Sequence, residues 1–175
     1  ICRGASSWVT RFGLLQPCSE PVPSDERELL ERFRSLFEAA VERRLPTGGQ
    51  VASMLSGGLD SGAVVCLARE LRLRRGENPL ITCSVLSDPP HDQETPYVRA
   101  VQARGQLCCH DLTMARMPEF AGALLEYLES TATLLPDYSV APLWLACAVT
   151  AKASGARIMP TGEVGDFALG VSCDP

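Results

Sequence analysis

A glycine pair flanked by two serines and an acid has the residue types that hold phosphate. The segment Ser56 to Ser61 reads Ser-Gly-Gly-Leu-Asp-Ser. Gly57 and Gly58 let the backbone turn sharply and come close to a ligand, because neither carries a Cβ. The two serines supply hydroxyl donors, and a predicted helix follows, whose free N–H groups and positive dipole end attract anions. The segment therefore predicts an anion site of the phosphate type.

Asp60 indicates how such a phosphate ligand is held. A carboxylate repels phosphate unless a divalent cation lies between them, so Asp60 predicts Mg²⁺ at this site. The segment contains no lysine, and the chain has no GxxxxGK[ST] motif. A Walker-type kinase or NTPase is therefore disfavoured.

A second segment of glycines and acids, Thr161 to Asp166, reads Thr-Gly-Glu-Val-Gly-Asp. It follows the fourth predicted strand, so it can reach across the sheet edge toward Asp60. From that position Asp166 can hold Mg²⁺ together with Asp60. The alternative for Glu163 and Asp166 is an ordinary polar loop that caps a following helix.

Apolar periodicity predicts the elements that position these segments. An amphipathic helix of about 20 residues begins at Ser24 as its N-cap, and strands then alternate with helices. The predicted strands are Gln50 to Ser56, Leu80 to Leu86, Gln106 to Leu112 and Ala156 to Thr161. The predicted helices are Ser61 to Arg74, Glu94 to Arg104, Pro118 to Ser130 and Val140 to Ser154. This alternation predicts an α/β fold, doubly wound, with a mainly parallel sheet, helices on both faces and the ligand at the carboxyl ends of the strands.

Composition narrows the function classes. The chain has 175 residues, room for one domain of ordinary size, with 46% hydrophobic and 21% charged residues. A net charge of −5 gives no basic face for nucleic acid, and the apolar runs are too short to span a membrane. Cys66, Cys83 and Cys147 lie among aliphatic residues, which favours reduced core thiols and a cytoplasmic protein.

Residues 1–23 carry three prolines and no sustained period, so they are interpreted as a linker or the tail of a missing N-terminal domain. Residues 24–175 form the predicted domain. The chain starts at Ile1 and stops after a loop-like segment, so we expect a piece of a longer protein that is incomplete at its C-terminus. His91 and His110 are weak metal or base candidates, since neither has the spacing of a tetrahedral site.

The motif Ser-Gly-Gly-Leu-Asp-Ser resembles the signature of the ATP pyrophosphatases. With Leu55 before it and a helix ending in Arg43-Arg44-Leu45 ahead of it, the frame resembles the synthetase domain of glutamine-dependent asparagine synthetases. β-Lactam synthetases and lasso-peptide cyclases share that domain. The resemblance implies an adenine nucleotide alpha hydrolase-like fold, and a reaction in which ATP adenylates a carboxylate, aspartate above all, before ammonia attacks.

The resemblance also assigns residues. It implies a catalytic role for Asp60 and for Glu163 at the reacting centre, and Mg²⁺ on Asp60 and Asp166. It further implies small-molecule substrates and an N-terminal glutaminase domain as partner, for which Cys2 is no substitute. The residues implied to bind ATP or pyrophosphate are Leu55, Ser56, Gly57, Gly58, Asp60, Ser61, Val85, Thr161 and Gly162.

Two departures leave alternatives open. Val164 and Phe167 stand where the resembling enzymes carry other residues, which allows a degenerate nucleotide-binding domain without catalysis. Another enzyme with the same motif, such as a tRNA-thiolating enzyme, is also open, and reactive thiols at Cys108 or Cys109 would favour it.

Overall fold

The computed structural model describes residues 23–87, 93–131, 141–162 and 165. The chain divides into two compact units, Ile1–Leu36 and Phe37–Pro175. Helix α1 (Glu26–Glu42) begins in the first unit. Its N-cap is Asp25 and not Ser24 as expected, because the Asp25 carboxylate accepts the Arg27 N–H at 2.8 Å and its carbonyl accepts the Leu29 N–H.

The second unit alternates strands and helices as predicted. Its strands are β1 (Gln50–Met54), β2 (Leu80–Leu86), β3 (Leu107–Thr113) and β4 (Ala156–Ile158). Its helices are α2 (Leu59–Arg74), α3 (Thr95–Gln102), α4 (Ala121–Thr131) and α5 (Ala141–Ala153). A 3₁₀ helix over Met114–Phe120, not expected from the sequence, precedes α4.

The four strands form one parallel sheet in the order β3-β2-β1-β4. Along the chain, β2 is added beside β1 and β3 beside β2, and β4 then pairs with the other edge of β1. The order therefore reverses between β1 and β4, and in open α/β sheets ligands bind at the carboxyl ends of the strands at such a switch point.

Helices cover both faces, so the predicted fold class is confirmed. One face carries α2 and α3 over a core that also includes Val41 of α1. The other carries α5 and the 3₁₀ helix. Residues packed on the first face include Val51, Leu55, Val65, Ala68, Leu80 and Val98, and those on the second include Ala52, Ile81, Cys83, Leu112, Ala146 and Cys147. Among the described residues, no helix combines the length and apolar character needed to cross a bilayer.

Strand β4 is shorter than the predicted Ala156 to Thr161. It pairs with β1 only at Gln50↔Ala156 and Val51↔Ile158, with an irregularity between the two pairs. Pro160 lacks an N–H and cannot extend a ladder as a donor. The loop after β4 therefore begins at Met159 and carries the glycines of the second predicted segment.

A buried arginine fixes the amino ends of β1 and β2. The Arg72 side chain is 1% exposed and donates to the carbonyls of Asn78 at 3.0 Å and Gly49 at 2.9 Å. Its third partner is the Glu77 carboxylate at 2.8 Å, which also accepts the Gly48 N–H. One side chain thereby joins the turns that precede both strands.

Replacing this arginine tests the clamp. Arg72→Met leaves the Asn78 and Gly49 carbonyls without their donor and the Glu77 carboxylate without its ion-pair partner, and should lower the free energy of unfolding by about 3 to 5 kcal/mol in urea denaturation. Arg74→Met is the matched control, since Arg74 is exposed and its pairs with Glu38 and Glu70 lie in solvent. Equal urea midpoints for the two variants would show that the clamp does not stabilise the fold.

The described thiols divide into buried and exposed ones. Burial, with a smaller effect of a neighbouring thiol, raises the pKa of Cys83 to about 11 and of Cys147 to about 12. Cys66 is half-buried, while Cys108 and Cys109 are exposed on β3. Cys83 and Cys147 are therefore core residues, as predicted.

Alkylation of the native chain at pH 8, read by peptide mass spectrometry, should modify Cys108 and Cys109 well before Cys83 and Cys147. Thiols of the unfolded chain ionise near pH 9.0, whereas Cys83 and Cys147 of the folded chain ionise only at higher pH. The free energy of unfolding should therefore be unaffected by these thiols below pH 9.0 and should fall as the pH rises toward about 12. Labelling of all four thiols at one rate would contradict the burial of Cys83 and Cys147.

Candidate functional site

The loop after β1 is held together by the hydroxyl of Ser61. Its Oγ accepts the Ser56 N–H at 3.2 Å, lies 2.9 Å from the Ser56 Oγ and donates to the Gly58 carbonyl at 3.2 Å. The Gly58 N–H in turn donates to the Ser56 Oγ at 3.3 Å. Since the Ser61 side chain is buried and bonded to both Ser56 and Gly58, it shapes the loop, and its predicted contact with pyrophosphate stays a prediction.

Ser56 and the start of α2 provide the donors that face outward. Ser56 is exposed, so its hydroxyl can turn toward a ligand. Gly58 is the N-cap of α2 and has no side chain to occupy the first-turn amides, which have no partner within a helix. Asp60 stands in that first turn. This arrangement of an amide-rich helix start with one carboxylate fits an anion accompanied by a cation.

The loop after β4 lies directly on this helix start. A Cβ added to Gly162 would be 2.5 Å from the Ser61 nitrogen and 2.6 Å from the Asp60 carbonyl carbon. A Cβ added to Gly165 would overlap the Asp60 carboxylate. The Gly165 N–H donates to the Gly162 carbonyl at 3.2 Å. The two segments singled out in the sequence are therefore in contact, and Gly162 is needed for that approach, because its neighbours are backbone atoms.

The loop before α3 approaches from the β2 side. Gly57 has φ +96°, and a Cβ there would lie 2.6 Å from the Glu94 carbonyl oxygen and 2.9 Å from the Glu94 Cβ. Gly57 is therefore required both by its backbone conformation and by the closeness of Glu94. The sequence indicated only that Glu94 stands near a helix start, not that it touches Gly57.

Of the remaining predicted residues, Leu55 is fully buried and its N–H donates to the Cys83 carbonyl at 3.0 Å. Val85 and Thr161 are half-buried. Glu163 and Asp166 lie outside the described residues, as does His91, so their predicted roles stay predictions. Within the described part of the chain, no three His, Cys, Asp or Glu side chains come together as a metal site.

One contact that the sequence analysis missed joins β1 to the loop after β4. The Ser53 hydroxyl, fully buried, donates to the Pro160 carbonyl at 2.7 Å. The available signal was a serine within the apolar run Val51 to Leu55, because a buried polar side chain needs a partner.

A separate cleft of about 630 Å³ lies beside β3, between the 3₁₀ helix and the end of α5. Its charged residues Arg116 and Glu119 pair with each other at 2.8 Å. His110 lies in its wall, with Nε2 3.1 Å from the Ser154 Oγ. β3 is two strands away from β1, so this cleft is not part of the site formed by the loops after β1 and β4.

Comparison with known proteins gives one family. The family model described as asparagine synthase matches residues 32–170. None of the curated proteins compared with the chain matches it. Among solved structures, NAD+ synthetase from Burkholderia pseudomallei aligns at 19% identity and a TM-score of 0.42, covering 80% of this chain and 64% of the other. The chain thus spans less than two thirds of the length of that relative.

The contact between the two loops makes a direct prediction. Gly162→Ala places a methyl group against backbone atoms that cannot yield, so the free energy of unfolding should fall by about 1 to 3 kcal/mol in urea denaturation, with shifted amide resonances at Asp60 and Ser61. Gly122→Ala in α4 is the control, since nothing lies within 4 Å of its added Cβ. Undisturbed Ser61 resonances in Gly162→Ala would show that the loops are not in contact.

Proposed function

The chain belongs to the asparagine synthase family, and we propose that it is the synthetase domain of an ATP-dependent, amide-forming ligase. The observation that carries the proposal is the contact of Gly162 and Gly165 with Asp60 and Ser61 at the switch point of the sheet. Two loops of backbone amides and acids meet where nucleotides bind in open α/β sheets.

The proposed reaction has two steps. An oxygen of the substrate carboxylate attacks the α-phosphorus of ATP in line, the bond from that phosphorus to the bridging oxygen breaks, and pyrophosphate leaves. An amine nitrogen then attacks the acyl carbon, the bond to AMP breaks, and the nitrogen loses a proton to give the amide. Positioning and charge stabilisation supply most of the acceleration in such phosphoryl chemistry.

The loop after β1 serves the departing pyrophosphate. The Ser56 hydroxyl and the amides at the start of α2 donate to its oxygens, while Ser61 keeps the loop curved through its bond to Gly58. Gly57 and Gly58 keep side chains out of the ligand's space. Leu55, Val85 and Gly162 are the proposed surroundings of the adenine. Thr161 is a further residue proposed to bind the ATP or pyrophosphate, and Glu163 is the proposed residue at the reacting centre.

Mg²⁺ is the proposed metal. Asp60 fits such an ion, because its carboxylate stands in the first turn of α2 beside amides that attract phosphate, where it needs a cation between itself and the ligand. Asp166 is the proposed second ligand. When bound, the ion would neutralise charge on the pyrophosphate. The residues of the chain contribute orientation and donors around it.

Aspartate and ammonia are the proposed substrates, with a glutaminase domain as the proposed source of ammonia and the cytoplasm as the proposed location. A lasso-peptide cyclase or β-lactam synthetase activity would use the same first step on another carboxylate. A thiolating activity is less well supported, because the exposed thiols Cys108 and Cys109 lie on β3, two strands away from Asp60.

Loss of the Asp60 carboxylate tests the proposal. In a pyrophosphate-release assay of the full chain with ATP, Mg²⁺ and aspartate plus ammonia, Asp60→Ala should lose at least about 100-fold in kcat/KM, since charge on the leaving group is no longer stabilised. Its circular dichroism spectrum should match that of the parent chain. Glu119→Gln, at the separate cleft, is the control and should retain full activity.

A fully active Asp60→Ala would contradict the metal role. ATP binding by the parent chain without any release of pyrophosphate would instead favour a non-catalytic nucleotide-binding domain.

A further inference from the structure

We propose that Ser53 is a positioning residue that fixes the loop after β4 against the start of α2. Its effect on catalysis rests on the proposed function, whereas its effect on the loop does not. Ser53 is the fourth residue of β1, and Val51 and Ala52 before it and Leu55 just after the strand are apolar and fully buried. Its hydroxyl makes its shorter hydrogen bond to the Pro160 carbonyl, at 2.7 Å, and a longer one of 3.4 Å to the Met54 carbonyl.

The sheet itself does not hold this loop. Regular pairing between β1 and β4 ends at Val51↔Ile158 and is already irregular there. Pro160 has no N–H to donate to β1. The 2.7 Å bond from the Ser53 hydroxyl to the Pro160 carbonyl joins β1 to this loop beyond the last residue pair of the ladder. Because Ser53 is 0% exposed, its hydroxyl is held by protein partners and not by bulk water.

The bond acts close to the site. Gly162 follows Pro160 by two residues, a span of at most about 7 Å of extended chain. Gly162 lies so close to Ser61 that an added Cβ would be 2.5 Å from the Ser61 nitrogen, and its carbonyl accepts the Gly165 N–H beside Asp60. A displacement of Pro160 is therefore passed to the groups that surround the Asp60 carboxylate.

The chain offers a matched control. Ser84 lies on β2, on the same face of the sheet, and is 1% exposed. Within the residues that the structure describes, its hydroxyl has no hydrogen-bond partner. Ser84→Ala and Ser53→Ala remove the same buried atom, but only the second removes a bond to the loop.

The test combines hydrogen exchange of the ligand-free full chain with pyrophosphate release at varied Mg²⁺. In Ser53→Ala, the amides of Thr161, Gly162 and Gly165 should exchange about tenfold faster, and half-maximal activity should need about 3 to 10 times more Mg²⁺. Ser84→Ala should change neither quantity. Ser53→Cys keeps a weak donor, so its amide exchange rates and Mg²⁺ requirement should lie between those of Ser53→Ala and Ser84→Ala. It replaces Ser53→Ala in the test if that variant does not fold.

Unchanged exchange at the three loop amides in Ser53→Ala would overturn the proposal, and so would an equal change in Ser84→Ala. In an active enzyme, an unaltered Mg²⁺ requirement would overturn it as well. If the parent chain releases no pyrophosphate, the proposed function fails, and the exchange experiment still decides whether Ser53 fixes the loop.

Discussion

The close approach of two backbones at the carboxyl edge of the sheet is the constraint on which the rest of the structure depends. The loop after β4 touches the first turn of α2 so tightly that a Cβ at Gly162 would overlap backbone atoms of Asp60 and Ser61. On the other side, Gly57 meets Glu94 in the same way. Glycines at these positions let three loops share one small volume, and that volume contains the amides and the carboxylate proposed to hold a nucleotide with its metal.

The fold produces this meeting through strand order. Because β4 inserts beside β1 and not beyond β3, the fourth loop arrives next to the first. At the opposite end, Arg72 ties the turns before β1 and β2, and glycines with positive φ precede all four strands, at positions 49, 76, 105 and 155. The amino edge of the sheet is thus stabilised by turns and a buried ion pair, and the proposed site lies at the opposite, carboxyl edge.

Much of the fold could be predicted, because the apolar periodicity of helices and strands and the glycines in the turns between them are features of local sequence. Both site segments could also be recognised, from the residue types in each short motif and from its place after a predicted strand. The contacts could not be predicted, since they depend on packing between distant segments. The Ser61 hydroxyl bonds within its own loop, Asp25 caps α1 in place of Ser24, and β4 ends before Pro160.

The most direct test of the shared site uses Mn²⁺ with ATP as a paramagnetic probe of the full chain in NMR. Broadening should be strongest at the amides of Gly57, Gly58 and Gly162, which line the carboxyl edge. The amides of Gly48, Gly49 and Gly76 lie at the amino edge and should keep their intensity. Broadening confined to the amino edge, or equal at both edges, would contradict a nucleotide and metal site between the loops after β1 and β4.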